Sequence, residues 1–146
     1  MPRKPDLAQL IQKRIAVNRR AGAFVREEFL ALGGYDQVGR ALRELVRAGA
    51  LVRVGYGIYA KARRSTVTGK PIPTRPLISV ATEGLRKLGY KVSPSAAALA
   101  YREGRSTQIP ARQALNLEGK RISRAIRFGR DKIAYETAQP RRRKAA

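Results

Sequence analysis

The chain has 146 residues and carries 32 Lys+Arg against 10 Asp+Glu, a formal net charge of +22 at pH 7. It has no cysteine and no histidine, which excludes disulfides and thiolate chemistry and removes the commonest general base and metal ligand. Its hydrophobic content of 43% suffices for packed cores. The positive field therefore belongs to a folded chain, and the usual partner of such a field is a polyanion whose phosphates release condensed counterions on binding.

Asp6 is placed to cap a first helix on which Leu7, Leu10, Ile11 and Ile15 recur at helical spacing, with an end expected near 19–22. A second, short helix is expected over 26–32, where Val25, Phe29 and Leu32 can share a face, and Gly33-Gly34 stops it. A third helix is expected over 35–48. Val38, Ala41, Leu42, Leu45 and Val46 form one apolar stripe, Asp36, Arg40, Arg43, Glu44 and Arg47 stand opposite, and Gly49 ends it. Two β-prone stretches, Ala50–Val54 and Ile58–Lys61, flank Gly55-Tyr56-Gly57 and read as a hairpin.

The stretch Arg63–Pro76 mixes Ser, Thr, Gly and prolines with basic residues and has no apolar period, so it reads as a linker or arm. Helical spacing resumes over 77–88 and ends at Gly89, followed by a short strand at 90–92. Ser93 as cap and Pro94 in the first turn predict an alanine-rich helix to about Arg102. Beyond the loop 105–110, three strands are expected at 113–117, 120–128 and 132–135, decorated by Arg121, Ser123, Arg127 and Lys132, with Asp131 in a turn. Arg141–Lys144 forms a charged tail.

These readings give an α+β chain, an N-terminal winged helix-turn-helix followed by a small helical/β-meander domain. The expected boundaries are 1–62 for the DNA-binding domain, 63–76 for the basic linker, 77–138 for the second domain and 139–146 for the basic tail. Residues 1–62 hold 12 basic and 5 acidic side chains, net +7, and residues 63–146 hold 20 and 5, net +15.

A helix-turn-helix places its second helical element in the DNA major groove, and here the third helix of the chain takes that role. Gln37, Arg40, Arg43 and Arg47 are its long donors, Arg suited to guanine and Gln to adenine because each can form two hydrogen bonds there. Arg53, Tyr56 and Lys61 on the hairpin are candidates for backbone or minor-groove contact.

The stretches Phe24–Phe29, Val38–Gly49 and Leu51–Tyr59 resemble the winged helix of AbiEi-type antitoxins, the DNA-binding partners in type IV toxin–antitoxin systems. The likeness lies in "Leu-x-x-Leu-Val-x-x-Gly" followed by a hairpin closing on "Gly-x-Tyr". Gly104–Pro110, between an alanine-rich helix and short strands, is similar to the antitoxin C-terminal region, and the likeness spans most of residues 20–136. The resemblance implies autorepression of an operon and neutralisation of a nucleotidyltransferase-like toxin. It draws attention to Thr107 and Gln108 in the loop, and with the basic residues Arg105, Arg121 and Arg127 these are the candidate contacts with toxin or nucleic acid. The second half is more basic than antitoxin function requires, which leaves direct nucleic-acid binding by that half open.

No enzymatic machinery is legible. Glu27 and Glu28 are neighbours that point different ways on a helix, no Gly-x-x-x-x-Gly-Lys-Ser/Thr loop occurs, and no clustered carboxylates follow a Gly-Ser turn. No cofactor, metal or catalytic residue is expected. The expected partners are double-stranded DNA, the chain's own promoter region foremost, and a cognate toxin. The competing reading is an architectural or ribosome-associated RNA-binding protein, motivated by the basic second half. No apolar run approaches the roughly 20 residues of a membrane span, and the opening Met1–Asp6 lacks the apolar stretch of a signal peptide, so a cytoplasmic location is expected.

Overall fold

A computed structural model of the chain describes residues 6–109, 113–118, 122 and 124–137. Helix α1 (Leu7–Val17) opens as expected on Asp6. The Asp6 carboxylate accepts the Gln9 N–H at 2.8 Å, and the Gln9 side chain accepts the Asp6 N–H at 3.0 Å, two otherwise orphaned donors satisfied reciprocally. Strand β1 (Ala23–Val25) follows, then a 3-10 turn at Arg26–Phe29. The expected helix over 26–32 is thus shorter, and its first apolar residue, Val25, belongs to a strand. Short apolar runs buried on both faces look alike to a helix and to a strand, and Ala23, Phe24 and Val25 are all buried.

Helix α2 (Tyr35–Arg47) buries Val38, Gly39, Ala41, Leu42 and Leu45, and Gly49 follows it with φ +81°. Strands β2 (Leu51–Gly55) and β3 (Ile58–Arg64) form the expected antiparallel hairpin around Gly57, φ +71°. Strand β1 pairs antiparallel with β3 in the register Ala23↔Ala60 to Val25↔Ile58, giving the order β1-β3-β2.

The stretch Arg63–Pro76 is not a structureless linker. Strand β3 runs on to Arg64 and turns into β4 (Pro71–Pro73), which pairs back on it antiparallel. Lys61 donates its N–H to Gly22 O at 2.9 Å, and its own carbonyl accepts the Thr74 N–H at 2.8 Å. Strands β1 and β4 therefore succeed one another along the same edge of β3, because N and O of one strand residue point to one side. Proline is tolerated at both ends of β4 since an edge position needs no donated ladder bond there.

Helix α3 (Leu77–Lys87) comes next, then β5 (Val92–Pro94) and α4 (Ala96–Arg102). The helix expected to start on Ser93 starts two residues later. Pro94 ends an edge strand, and Ser95 is the cap, its hydroxyl accepting the Ala98 N–H at 3.1 Å. The expected meander is replaced by a different pairing. Strand β6 (Ala114–Leu117) lies between β5, antiparallel, and β9 (Ala134–Thr137), parallel, while β7 (Arg127–Phe128) and β8 (Asp131–Lys132) form a separate small hairpin. Parallel neighbours need a crossover, and the β7–β8 hairpin lies between them in the chain. Of the strand expected over 120–128, residues 120, 121 and 123 lie outside the described residues and 124–126 are irregular; only 127–128 pair. Asp131 is a strand residue facing Phe128, and the turn is made by Gly129-Arg130.

The sheet β1-β3-β2 is packed on both faces. On one side Phe24, Leu51 and Tyr59 join Ile11, Ile15, Phe29, Val38, Leu42 and Leu45. On the other, Ala23, Val25, Val52, Val54, Ile58 and Ala60 join Leu77, Val80, Ala81 and Leu85 of α3 and Leu115, Leu117, Ile126 and Ile133 beyond it. Residues expected to form a separate second domain thus complete the core of the first. Helix α3 comes so near that a Cβ on Gly84 would stand 2.7 Å from Ile58 Cγ2. Among the described residues, no helix is long and apolar enough to cross a membrane.

Candidate nucleic-acid interface

The apolar stripe of α2 fixes what its other side presents. With Leu42 and Leu45 pressed against the sheet, Arg40, Arg43 and Arg47 are left exposed. At about 100° per residue, Arg47 lies about 20° round the helix axis from Arg40, and Arg43 about 60°. Asp36 and Glu44 are exposed on the same helix, yet among the described residues no ion pair holds the three arginines. The ion pairs among the described residues involve Arg75, Lys87 and Arg105.

Other cations are occupied internally. Lys61 Nζ donates to Ile15 O and Asn18 O, both at 3.3 Å, closing the C-terminal end of α1, so this candidate hairpin contact is engaged within the fold. Gln37 Oε1 accepts the Gly34 N–H at 3.1 Å at the start of α2, so its carbonyl is committed to the helix end. Glu83 accepts the Gly22 and Ala23 N–H groups at 2.9 and 3.2 Å, and Lys87 pairs with Glu83 and Glu28 and donates to Ala23 O at 2.7 Å. Burial pushes the Glu28 carboxyl above its ordinary range, although neighbouring Lys87 pulls it down. Arg75 joins this group through Glu83 and Arg20 O. These side chains tie α3 to the edge of β1.

At the other end of α2, the hairpin turn and the helix start share a cluster that the sequence reading did not find. The Arg26 guanidinium stacks over Tyr35 at 4.4 Å, and that of Arg124 lies 5.4 Å from the centre of the Tyr56 ring while hydrogen-bonding Tyr56 O. The Arg26 N–H donates to Gly57 O at 3.2 Å. A hydrogen bond with Tyr56 holds the Tyr35 hydroxyl above its usual pKa, with burial adding to it. Tyr56 is 57% exposed, so the cluster presents an aromatic rim to solvent. No sequence signal joins these residues; only the packing of the turn against the helix start does.

Arg53 is exposed, its Nε 3.4 Å from Gly55 O. In the second half, Arg105 pairs with Glu103 at 2.9 Å, Thr107 is exposed, and the Gln108 N–H donates to Ser106 Oγ at 3.2 Å in a local turn. Arg127 is exposed on β7 opposite Lys132. Arg121 and the tail 139–146 lie outside the described residues. The α2 residues and the second-half residues therefore occupy separate elements. An open groove runs between α3 and α4, lined by Ile78, Thr82, Arg86, Ala98, Arg102 and Leu115 among others. Among the described residues no cluster of three or more carboxylates can hold a metal ion.

A search of curated proteins returned no match. A family model described as "Family of unknown function (DUF6088)" matches residues 10–145, nearly the whole chain. The chain belongs to that family.

Proposed function

We propose that this protein is a double-stranded DNA-binding regulator whose N-terminal part is a winged helix-turn-helix, with α2 as the reading helix. The order helix, strand, helical turn, helix, strand, strand, with the first strand pairing the last, supports the winged-helix reading. The observation that carries the functional reading is the free guanidinium face of Arg40, Arg43 and Arg47 on a helix whose opposite face is locked to the sheet. Arginine offers the forked donor geometry that suits guanine edges and phosphates. Arg53 and Tyr56 extend that face, whereas the Lys61 ammonium donates to the end of α1 and the exposed Gln37 has its carbonyl on the Gly34 N–H. The protein acts by binding and not by catalysis. By its resemblance to AbiEi-type antitoxins, it represses its own operon and neutralises a nucleotidyltransferase-like toxin, with the second half contributing to toxin capture.

The test is fluorescence anisotropy of the full chain with a duplex from its own upstream region, against a scrambled duplex, across a salt series. Preference for the upstream duplex and a steep loss of affinity with salt are expected. Arg43→Ala and Arg47→Ala should each weaken binding by about 1–3 kcal/mol if they read bases, and uniformly across sequences if they hold phosphates. Equal affinity for both duplexes at moderate salt defeats the sequence-specific reading. A complex with the adjacent gene's product that survives nuclease treatment tests the toxin part.

A further inference from the structure

We propose that the β3–β4 hairpin, and not the short β2–β3 turn, is the principal wing of this protein, gripping the sugar-phosphate backbone and minor groove of duplex DNA beside the stretch read by α2. The proposal rests on the DNA-binding reading above and adds a second contact surface to it.

Strand β3 starts at the Tyr56-Gly57 turn and runs to Arg64, so its two ends lie at opposite ends of α2. Arg26 links the turn to the helix start, its backbone N–H donating to Gly57 O at 3.2 Å and its guanidinium stacking over Tyr35 at 4.4 Å, while a Cβ on Gly49, just after the helix end, would stand 3.3 Å from Pro71 of β4. The Ser65–Lys70 turn thus leaves the sheet at the end of α2 that carries Arg47. The β2–β3 turn is short and clasped by Arg26 and Arg124, which bond Gly57 O and Tyr56 O. The β3–β4 turn is free, with Thr66, Val67, Thr68, Gly69 and Lys70 all exposed.

Its charge is unopposed. Between Glu44 and Glu83 the sequence has seven basic side chains and no acidic one. Arg63, Arg64 and Lys70 are exposed on the hairpin, and Arg64 donates to Gly69 O at 3.1 Å. The turn is also ordered in advance. Ser65 Oγ accepts the Val67 and Thr68 N–H groups at 3.2 Å each, Ser65 and Lys70 pair through their backbones at 2.9 Å, and Gly69 adopts φ +72°. A preordered turn loses little conformational freedom on binding. Val67, at its apex, is 91% exposed. An isolated branched apolar side chain flanked by threonines and cations suits the deoxyribose walls of a minor groove, where apolar side chains are used beside Arg and Lys. An acidic protein partner would be met by the charge but gives the apolar apex no role.

The experiment compares the wild-type chain, Arg63→Ala/Lys70→Ala, Val67→Glu, and Arg40→Ala/Arg43→Ala/Arg47→Ala on a 30-base-pair duplex from the upstream region. Binding is followed by anisotropy over a salt series and by hydroxyl-radical footprinting. Loss of two phosphate contacts should lower the slope of log K against log salt by about 1.8 and therefore weaken binding about sixtyfold at 0.1 M salt, equally for all sequences. Val67→Glu should weaken it too, and Arg63→Lys/Lys70→Arg should restore the wild-type slope. The footprint should lose protection on one flank only. Unchanged slope, affinity and footprint in the hairpin variants, with binding lost in the α2 variant, overturn the wing and leave the regulator reading standing. No duplex binding by the wild-type chain overturns both.

Discussion

Cutting the chain after residue 62 isolates the stretch that the sequence presents as a complete DNA-binding domain, and the structure predicts that this fragment does not fold alone. The cut leaves α1, α2 and their core intact but strips the opposite face of the sheet, where Val25, Val52, Val54 and Ile58 are each no more than 8% exposed. Burying an aliphatic side chain of this size contributes about 1.5–3 kcal/mol, so the four together contribute about 6–12 kcal/mol. Residual compactness of the unfolded chain trims that by roughly 10–40%. The remainder is comparable to the whole stability of an ordinary domain, about 5–15 kcal/mol. The pairing of β4 along the edge of β3 is lost as well. Circular dichroism melts and size-exclusion chromatography of residues 1–62 beside the full chain check this. The fragment should show no cooperative transition, or should associate through the bared face. A monomeric fragment that melts cooperatively near the full chain's Tm would show the reasoning to be wrong.

Two further variants probe the second core. Gly84→Val should cost about 1–3 kcal/mol in a denaturant titration, against the helix preference that ordinarily disfavours glycine, because the added atoms enter the space of Ile58; a stabilised variant would mean that α3 does not press on β3. Tyr135, whose hydroxyl donates to Arg124 O at 2.7 Å, is pushed up to about 12, by burial first, with Arg124 acting the other way and Tyr90 adding to the rise. A raised value favours the neutral hydroxyl in the fold. Its contribution is therefore fully present below the ordinary tyrosine value of about 10 and is lost as pH rises from there through about 12. Absorbance at 295 nm should show a tyrosine titrating at about 12 that is absent in Tyr135→Phe.

The elements that the sequence disclosed are those set by local chemistry. The Asp6 cap, the stripe from Val38 to Leu45, the Gly49 stop and the Gly-Tyr-Gly hairpin each depend on a few neighbouring residues, and each stands where expected. What stayed hidden depends on partners distant in sequence. Strand β1 has no alternation to read because both its faces are covered, by Tyr59 and Phe29 on one side and by α3 on the other. The parallel pairing of β6 with β9 joins residues about twenty apart and leaves no local mark. Pro94 suits a helix start as well as the end of an edge strand, and only the pairing with Leu115 decides. The arginine face of α2 follows from periodicity alone. The use of Lys61, Arg75 and Lys87 as internal ties does not, since a lysine in sequence looks the same whether it meets water or a carbonyl.

Ile58, Tyr59 and Ala60 are consecutive, yet Tyr59 leans into the layer that holds the arginine helix while its two neighbours lean into the layer built from the second half. A single stretch of main chain is thus a party wall with tenants on both sides. Whatever loosens one tenancy, a bulky residue, a bound protein or a missing segment, is felt next door. Under the proposed function, substitutions along this wall should disturb DNA grip and partner capture together, whereas those on α2 or the outer hairpin alter one and leave the other unchanged.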